Sequence, residues 1–149
     1  MKSIYNPEDN IQIIERIQKL TPESKALWGK MRVDQMMSHC IAPIDVAFGN
    51  LHLKANFIMQ ILGKILKNKI IKANNFKKNS PTAPSFVRTE TYDFETTKNE
   101  LIKKVKRFAA EGHNVIKNQT HPFFGKMSYE DWDKLHWKHL DHHLKQFNV

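Results

Sequence analysis

Residues 128–147 read Ser128-Tyr-Glu-Asp131-Trp132-Asp-Lys-Leu135-His136-Trp-Lys-His139-Leu140-Asp141-His142-His143-Leu-Lys-Gln146-Phe147. Ser128 can cap a helix, and Asp131, three residues on, can reach back to its amide in a variant of the capping box. The helix so opened is predicted to run towards Val149. Four of the chain's eight histidines fall at positions 136, 139, 142 and 143 of this segment. A helix turns by about 100° per residue, so His139 and His143 stack on one face a turn apart, where two imidazoles can reach one metal ion. His136 shares that face but stands roughly 10 Å from His143 along the axis at 1.5 Å per residue. One straight helix cannot easily supply all three ligands, so a third has to come from elsewhere.

Upstream, the pattern gives helix after helix. Asn6 before Pro7 makes a good start, and Ile11, Ile14, Ile17 and Leu20 follow at helical spacing until Thr21-Pro22. A short connecting helix is expected from Pro22 to Leu27, ending before Gly29. A second long helix is predicted from near Val33, carrying Met36, Met37, Cys40, Ile41, Ile44, Ala47 and Phe48, and stopping at Gly49-Asn50. Pro43 inside it removes a hydrogen bond to the carbonyl of His39, where a kink is expected. Leu53 to about Ile71 reads as a third helix, with Gly63 inside it permitting close contact. Residues 72–93, rich in Asn and Pro, read as a long loop, and residues 95–110 as a fourth helix ending before Gly112. A further loop holds His121-Pro-Phe-Phe-Gly125, and no stretch alternates convincingly enough for a strand. The expectation is one all-α domain spanning residues 1–149, a four-helix bundle with a long crossover loop and a short extra helix.

Composition narrows the function. With 149 residues, 40% of them hydrophobic, the chain can build a core, and disorder is excluded. No run approaches the ~20 uncharged apolar residues of a membrane span, and the first nine residues lack the apolar stretch of a secretory signal. A lone cysteine, Cys40, cannot pair within the chain, so a reducing cytoplasm is the expected location. Five glycines and no GxGxxG or Walker loop argue against a nucleotide-phosphate cradle. The net charge of +9 is local: residues 46–89 hold eight cations, from Lys54 to Lys78 and Arg88, and no acid, which leaves 16 basic against 15 acidic residues elsewhere. A solvated lysine-rich face is the plain reading of that patch. Binding of an anionic small molecule or a membrane surface is the next, and nucleic acid ranks below because Arg and interleaved aromatics are sparse there.

For the third ligand, His39 is the best candidate, on a helix beside Met36, Cys40 and Pro43 at the edge of an apolar stripe. A histidine in that setting is more often a hydrogen-bonded core residue than a ligand. His142 points about 100° away from His143 and is read as outward or supporting. Cys40 faces away from His39 and reads as a buried, inert thiol. His52, His113 and His121 carry no ligand assignment.

The segments His121-Pro-Phe-Phe-Gly125, Ser128, Trp132 and Leu135 to Phe147, with HxxxH followed by Gln146-Phe147, resemble the C-terminal signature of the DinB/YfiT-like superfamily of metal-binding proteins. More narrowly they resemble a bacterial subfamily of unknown function within it. Met31, Gln35, Met36, His39 and Cys40 are similar to that group's second-helix motif, and Asn79-Ser-Pro-Thr-Ala-Pro84 to its long-loop motif. The resemblance implies a four-helix bundle with a long crossover and one divalent metal at its open end, held by His39, His139 and His143. It gives Gln146 a supporting place beside them.

Three neutral imidazoles leave positions open on an ion, as in a catalytic site. Such an ion can lower the pKa of a bound water, for hydrolysis, or bind a thiolate, for S-transfer. The superfamily's resemblance extends to both classes, including transferases and isomerases that use low-molecular-weight bacterial thiols. Those thiols are anionic, and the lysine patch is expected to help hold one if the fold brings it near the metal. Leu140 stands where a zinc protease places the Glu of HExxH, so peptidase chemistry is not expected. Asp141 faces away from both ligands, leaving any base to another helix, to His136 or to the substrate. The sequence therefore predicts one divalent ion, Zn or Ni before others, and a small-molecule substrate. No DNA or membrane partner is expected, and homodimerisation through exposed helix faces is compatible with the pattern. The other reading is a non-catalytic bundle whose histidines bind a metal for stability or complete a polar pocket.

Overall fold

Asn6 accepts hydrogen bonds from the amides of Glu8 and Asp9, and Pro7 occupies the first turn of α1, Pro7–Gln18. Four more helices follow: α2, Val33–Phe48; α3, Phe57–Lys72; α4, Phe94–Glu111; and α5, Tyr129–Gln146. The structure, a computed structural model, describes residues 2–54, 57–73, 75–80 and 82–149. Ala55 and Asn56 of the predicted third helix, and Asn74 and Pro81 of the predicted loop, lie outside the described residues, as do the side chains of Phe57, Ile58 and Met59.

The fold is mostly helical, as the periodicity predicts. Ser128 accepts from the amide of Asp131 while Asp131 accepts from Ser128, so the capping box that opens α5 forms. At the start of α2 the Gln35 side chain accepts from the Arg32 amide at 3.0 Å. Gly49 ends that helix with φ 77°, a left-handed conformation that favours glycine. α2 continues as helix across Pro43.

Three expectations need correction. The short helix predicted at Pro22–Leu27 is absent: Pro22 and Glu23 form a turn, Leu27 begins a bend, and residues 24–26 carry no regular structure. Ser24 closes a turn onto Thr21 at both ends, and the Leu27 amide donates to the Gln146 carbonyl at 2.7 Å, so this segment is spent on tying down the end of α5. The long loop contains a 3₁₀ turn, Pro84–Phe86. His121-Pro-Phe-Phe-Gly125 is the tip of a two-stranded antiparallel hairpin, β1 (Thr120–His121) with β2 (Gly125–Lys126), too short to alternate visibly.

Helices α1, α2, α4 and α5 share one core. α1 and α4, α2 and α4, α2 and α5, and α1 and α5 all touch. Trp132, Phe108, Ile13, Ile17, Met36, Met37, Leu101 and Leu140 are fully buried there. α3 stands apart, resting on α5 and on β2. Gly63 of α3 lies so close to Phe123 that an added Cβ would fall on its carbonyl oxygen, and Lys138 of α5 donates to the carbonyls of Ile70, Ile71 and Ala73 at the other end of the helix. A cation at a helix C-terminus also opposes the negative end of its dipole.

Candidate metal centre

His39 stands in the middle of α2 and faces α5, where His139 and His143 are one turn apart. The three side chains form a near-equilateral group, with ring centroids 4.9 Å apart for His39–His139, 4.8 Å for His39–His143 and 4.7 Å for His139–His143. One nitrogen from each lies within 4.8 Å of the other two, and the Nε2 atoms of His39 and His139 are 3.0 Å apart. Three imidazoles on one tetrahedral ion at about 2.1 Å place their nitrogens roughly 3.4 Å apart. The arrangement therefore fits an ion with small adjustments of χ angles.

What surrounds the rings sets their protons. His39 Nδ1 donates to the Phe86 carbonyl at 2.9 Å, which turns the lone pair of Nε2 towards α5. His143 Nδ1 donates to Gln146 Oε1 at 2.8 Å, and Gln146 Nε2 donates in turn to the Trp28 carbonyl at 2.6 Å. Both outer nitrogens are thereby committed to acceptors, the arrangement that leaves Nε2 for a metal. With His39 Nε2 unprotonated, the 3.0 Å contact has His139 Nε2–H as its donor. Taking up an ion replaces that hydrogen bond.

All three rings are held neutral. Burial pushes His39 down, aided by the nearby Arg88 charge and opposed by the bond to Phe86. Burial, then the neighbouring His143 and His39, hold His139 well below its ordinary value. Burial and His39 bring His143 to about 3, against the contrary pull of Gln146. Neutral imidazole is the metal-binding form, so neither desolvation nor protonation stands in the way.

The partner of His39 comes from a segment that the sequence marks only as loop. Residues 86–92 run antiparallel along α2, each second residue bonded to one of its side chains. After Phe86 with His39, Arg88 donates to Ser38 at 3.2 Å, the Glu90 carbonyl accepts from Gln35 at 3.1 Å, and the Tyr92 amide donates to Asp34 at 2.9 Å. Backbone carbonyls such as Phe86 and Trp28 have no residue-type signature, which is why the sequence reading misses them.

A cleft of about 770 Å³ opens beside the triad. Phe76, Phe86, Phe123 and Phe124 supply aromatic wall, and Lys30, Arg32, Lys77 and Arg88 supply cations. Among the described residues no carboxylate lines it. The expectation that the lysine patch as a whole serves the site needs narrowing. Lys64, Lys67, Lys69 and Lys72 do not line the cleft, and Lys67 is paired with Asp131 at 2.7 Å. Arg32 is likewise held by Asp34, at 3.0 Å.

Of the remaining histidines, His121, His136 and His142 also line the cleft but do not converge with the triad. His142 is half-buried against Trp28 and Phe76 and is not one of the converging donors. His136 is buried, stacked on Trp132 and against Phe108, with Nε2 lacking a hydrogen-bond partner among the described residues. His121 accepts from the amides of Phe123 and Phe124 and so builds the hairpin tip. His113 stacks on Tyr129. Cys40 is buried with its Sγ 3.7 Å from Met36 Sδ, and burial pushes its thiol well above the usual range. Asp141 pairs with Arg16 and Lys145 at 2.8 and 2.7 Å, away from the triad.

Neither the curated proteins nor the solved structures contain a match to this chain. One family model matches, described as a protein of unknown function (DUF1569), and it covers residues 6–149, which takes in all five helices and the three histidines. The chain belongs to the DUF1569 family.

Proposed function

We propose that the chain is a single four-helix bundle of DinB/YfiT type that holds one divalent ion, Zn or Ni, on His39, His139 and His143 and uses it on a small molecule bound in the cleft. The observation that carries this reading is the convergence of three neutral imidazoles, from two helices, on one point beside an open cleft. Two of them have their outer nitrogens committed to Phe86 and Gln146. When bound, the ion lowers the pKa of a coordinated thiol or water.

Of the two chemistries, thiol S-transfer suits the residues better than hydrolysis. Attack by water calls for a base within reach; among the described residues the cleft offers no carboxylate, and of its further imidazoles His121 is taken up by the Phe123 and Phe124 amides while His136 and His142 pack on aromatic rings. An anionic low-molecular-weight thiol asks less of the protein. Lys77, Arg88 and Lys30 supply positive charge along the wall, and the four phenylalanines exclude water from the rest of the molecule. His39, His139 and His143 would hold the ion that the thiol's reacting end binds.

A non-catalytic reading rests on the 3.0 Å contact between His39 and His139, which pairs their facing Nε2 atoms without an ion. Metal content of the untagged protein by mass spectrometry, beside a His139→Ala/His143→Ala variant, separates the two. The expected result is about one Zn or Ni per chain, lost in the variant. No uptake after incubation with either ion would sink the enzyme reading and leave a polar histidine pocket.

A further inference from the structure

Helix α3 presents an apolar stripe outwards. Ile61, Leu62, Ile65 and Leu66 are 45%, 51%, 70% and 44% exposed, and they account for half of the eight large hydrophobic side chains exposed among the described residues. At about 100° per residue they span one side of the helix, while Gly63 and the buried Ile71 lie towards the opposite side, against the protein. The helix cannot roll to hide the stripe. Gly63 is in backbone contact with Phe123, and Lys138 holds the carbonyls at the C-terminal end. Exposure here belongs to the folded state.

Charge and residue type identify what covers the stripe. Lys64, Lys69 and Lys72 are exposed around and beyond it, within a 44-residue stretch, 46–89, that contains no acid. A second copy docked face to face would set these lysines against their own kind. A protein partner generally meets a patch with Trp, Tyr and Arg at its centre and with lysine depleted, whereas the four exposed stripe residues are Ile or Leu and the charges exposed beside them are lysines. Aliphatic side chains on a convex, single-helix ridge, rimmed by lysine ammonium groups, match the boundary between acyl chains and anionic headgroups.

We infer that α3 docks the protein onto an anionic bilayer surface, with Ile61, Leu62, Ile65 and Leu66 entering the headgroup boundary and Lys64, Lys69 and Lys72 pairing with lipid phosphates. No described helix is long and apolar enough to cross a membrane, and docking of this kind needs no span. The absence of a spanning segment, from which the sequence predicts no membrane partner, therefore does not bear on it. The inference is independent of the metal reading, since none of these seven residues lines the cleft.

The test is flotation of the untagged, full chain with vesicles of phosphatidylcholine, with and without about a third phosphatidylglycerol, at low and high salt. Binding is expected on the anionic vesicles only, weakening as salt rises. Leu62→Asp/Ile65→Asp should lower it by roughly tenfold or more, with circular dichroism and the melting temperature unchanged because both side chains are exposed. Lys69→Glu/Lys72→Glu should lower it as well. No binding to anionic vesicles overturns the inference, and so does equal binding by the Leu62→Asp/Ile65→Asp variant, which would leave only loose charge attraction. A dimer in sedimentation velocity that this same variant dissociates would overturn it in favour of a second copy.

Discussion

His143 is oriented by a relay of two hydrogen bonds that ends on a backbone carbonyl, and the relay gives Gln146 a measurable role. Replacing Gln146 by Leu removes the acceptor for His143 Nδ1 and leaves the Trp28 carbonyl without its donor. Zinc affinity, read by competition with a chelating dye, is expected to fall about 10–100-fold, and stability by roughly 1–3 kcal/mol. Gln146→Glu keeps an acceptor for His143 but no donor for Trp28, so it should recover affinity before it recovers stability. His121 and His136 act on stability through protons. Burial brings both to about 3, with the His121 charge a smaller contribution at His136. An unfolded histidine takes its proton near 6.5. The folded chain therefore binds fewer protons than the unfolded chain between those values, and stability that is complete above pH 6.5 is lost as pH falls through that window. At pH 4.5 each of the two costs about 2.7 kcal/mol. Urea unfolding at pH 7 and pH 4.5 checks this, and His136→Phe should remove about one group's share of the difference. Equal midpoints at the two pH values would contradict it.

At the scale of elements, most of what decides a helix is local and could be read directly. The caps at Asn6 and Ser128 and the left-handed stop at Gly49 depend on residues within four positions of one another. Ser128→Ala is expected to cost about 1 kcal/mol in thermal or denaturant unfolding. The HxxxH pair is local too. His39 could be proposed because it lies at the edge of an apolar stripe and fits a motif, although only the packing of α2 on α5 brings it to the pair. What escaped the reading depends on distant backbone. Pro22–Leu27 has helix-compatible residues, yet its backbone is recruited by the end of α5. The 86–92 segment lacks hydrophobic period, yet it lies along α2 through four side-chain bonds. Gly63 is a third case: the sequence allows a close contact there without saying with what, and the contact is the Phe123 carbonyl. Gly63→Ala would gain helix propensity, worth up to about 1 kcal/mol. The clash with backbone outweighs that gain, so α3 should shift or loosen, seen as faster amide exchange in residues 60–72 with little change in α1 or α4.

For the molecule as a whole, an ion that binds the folded chain and not the unfolded one adds stability by mass action. At a free concentration one hundred times its dissociation constant the gain is about 2.7 kcal/mol. Melting with and without a chelator measures it, and the shift should vanish in His39→Ala as fully as in His139→Ala. A chain with a single buried cysteine has no means of stitching its own distant parts together covalently. His39 and His139 are 100 positions apart, and a bridge between them would close a loop of that length. For a disulfide of such span, the lost freedom of the unfolded chain is worth about 4.7 kcal/mol. With an ion on it as proposed, the histidine triad would give this protein a long-range cross-link that is reversible and fastened or undone by the supply of a metal rather than by an oxidant.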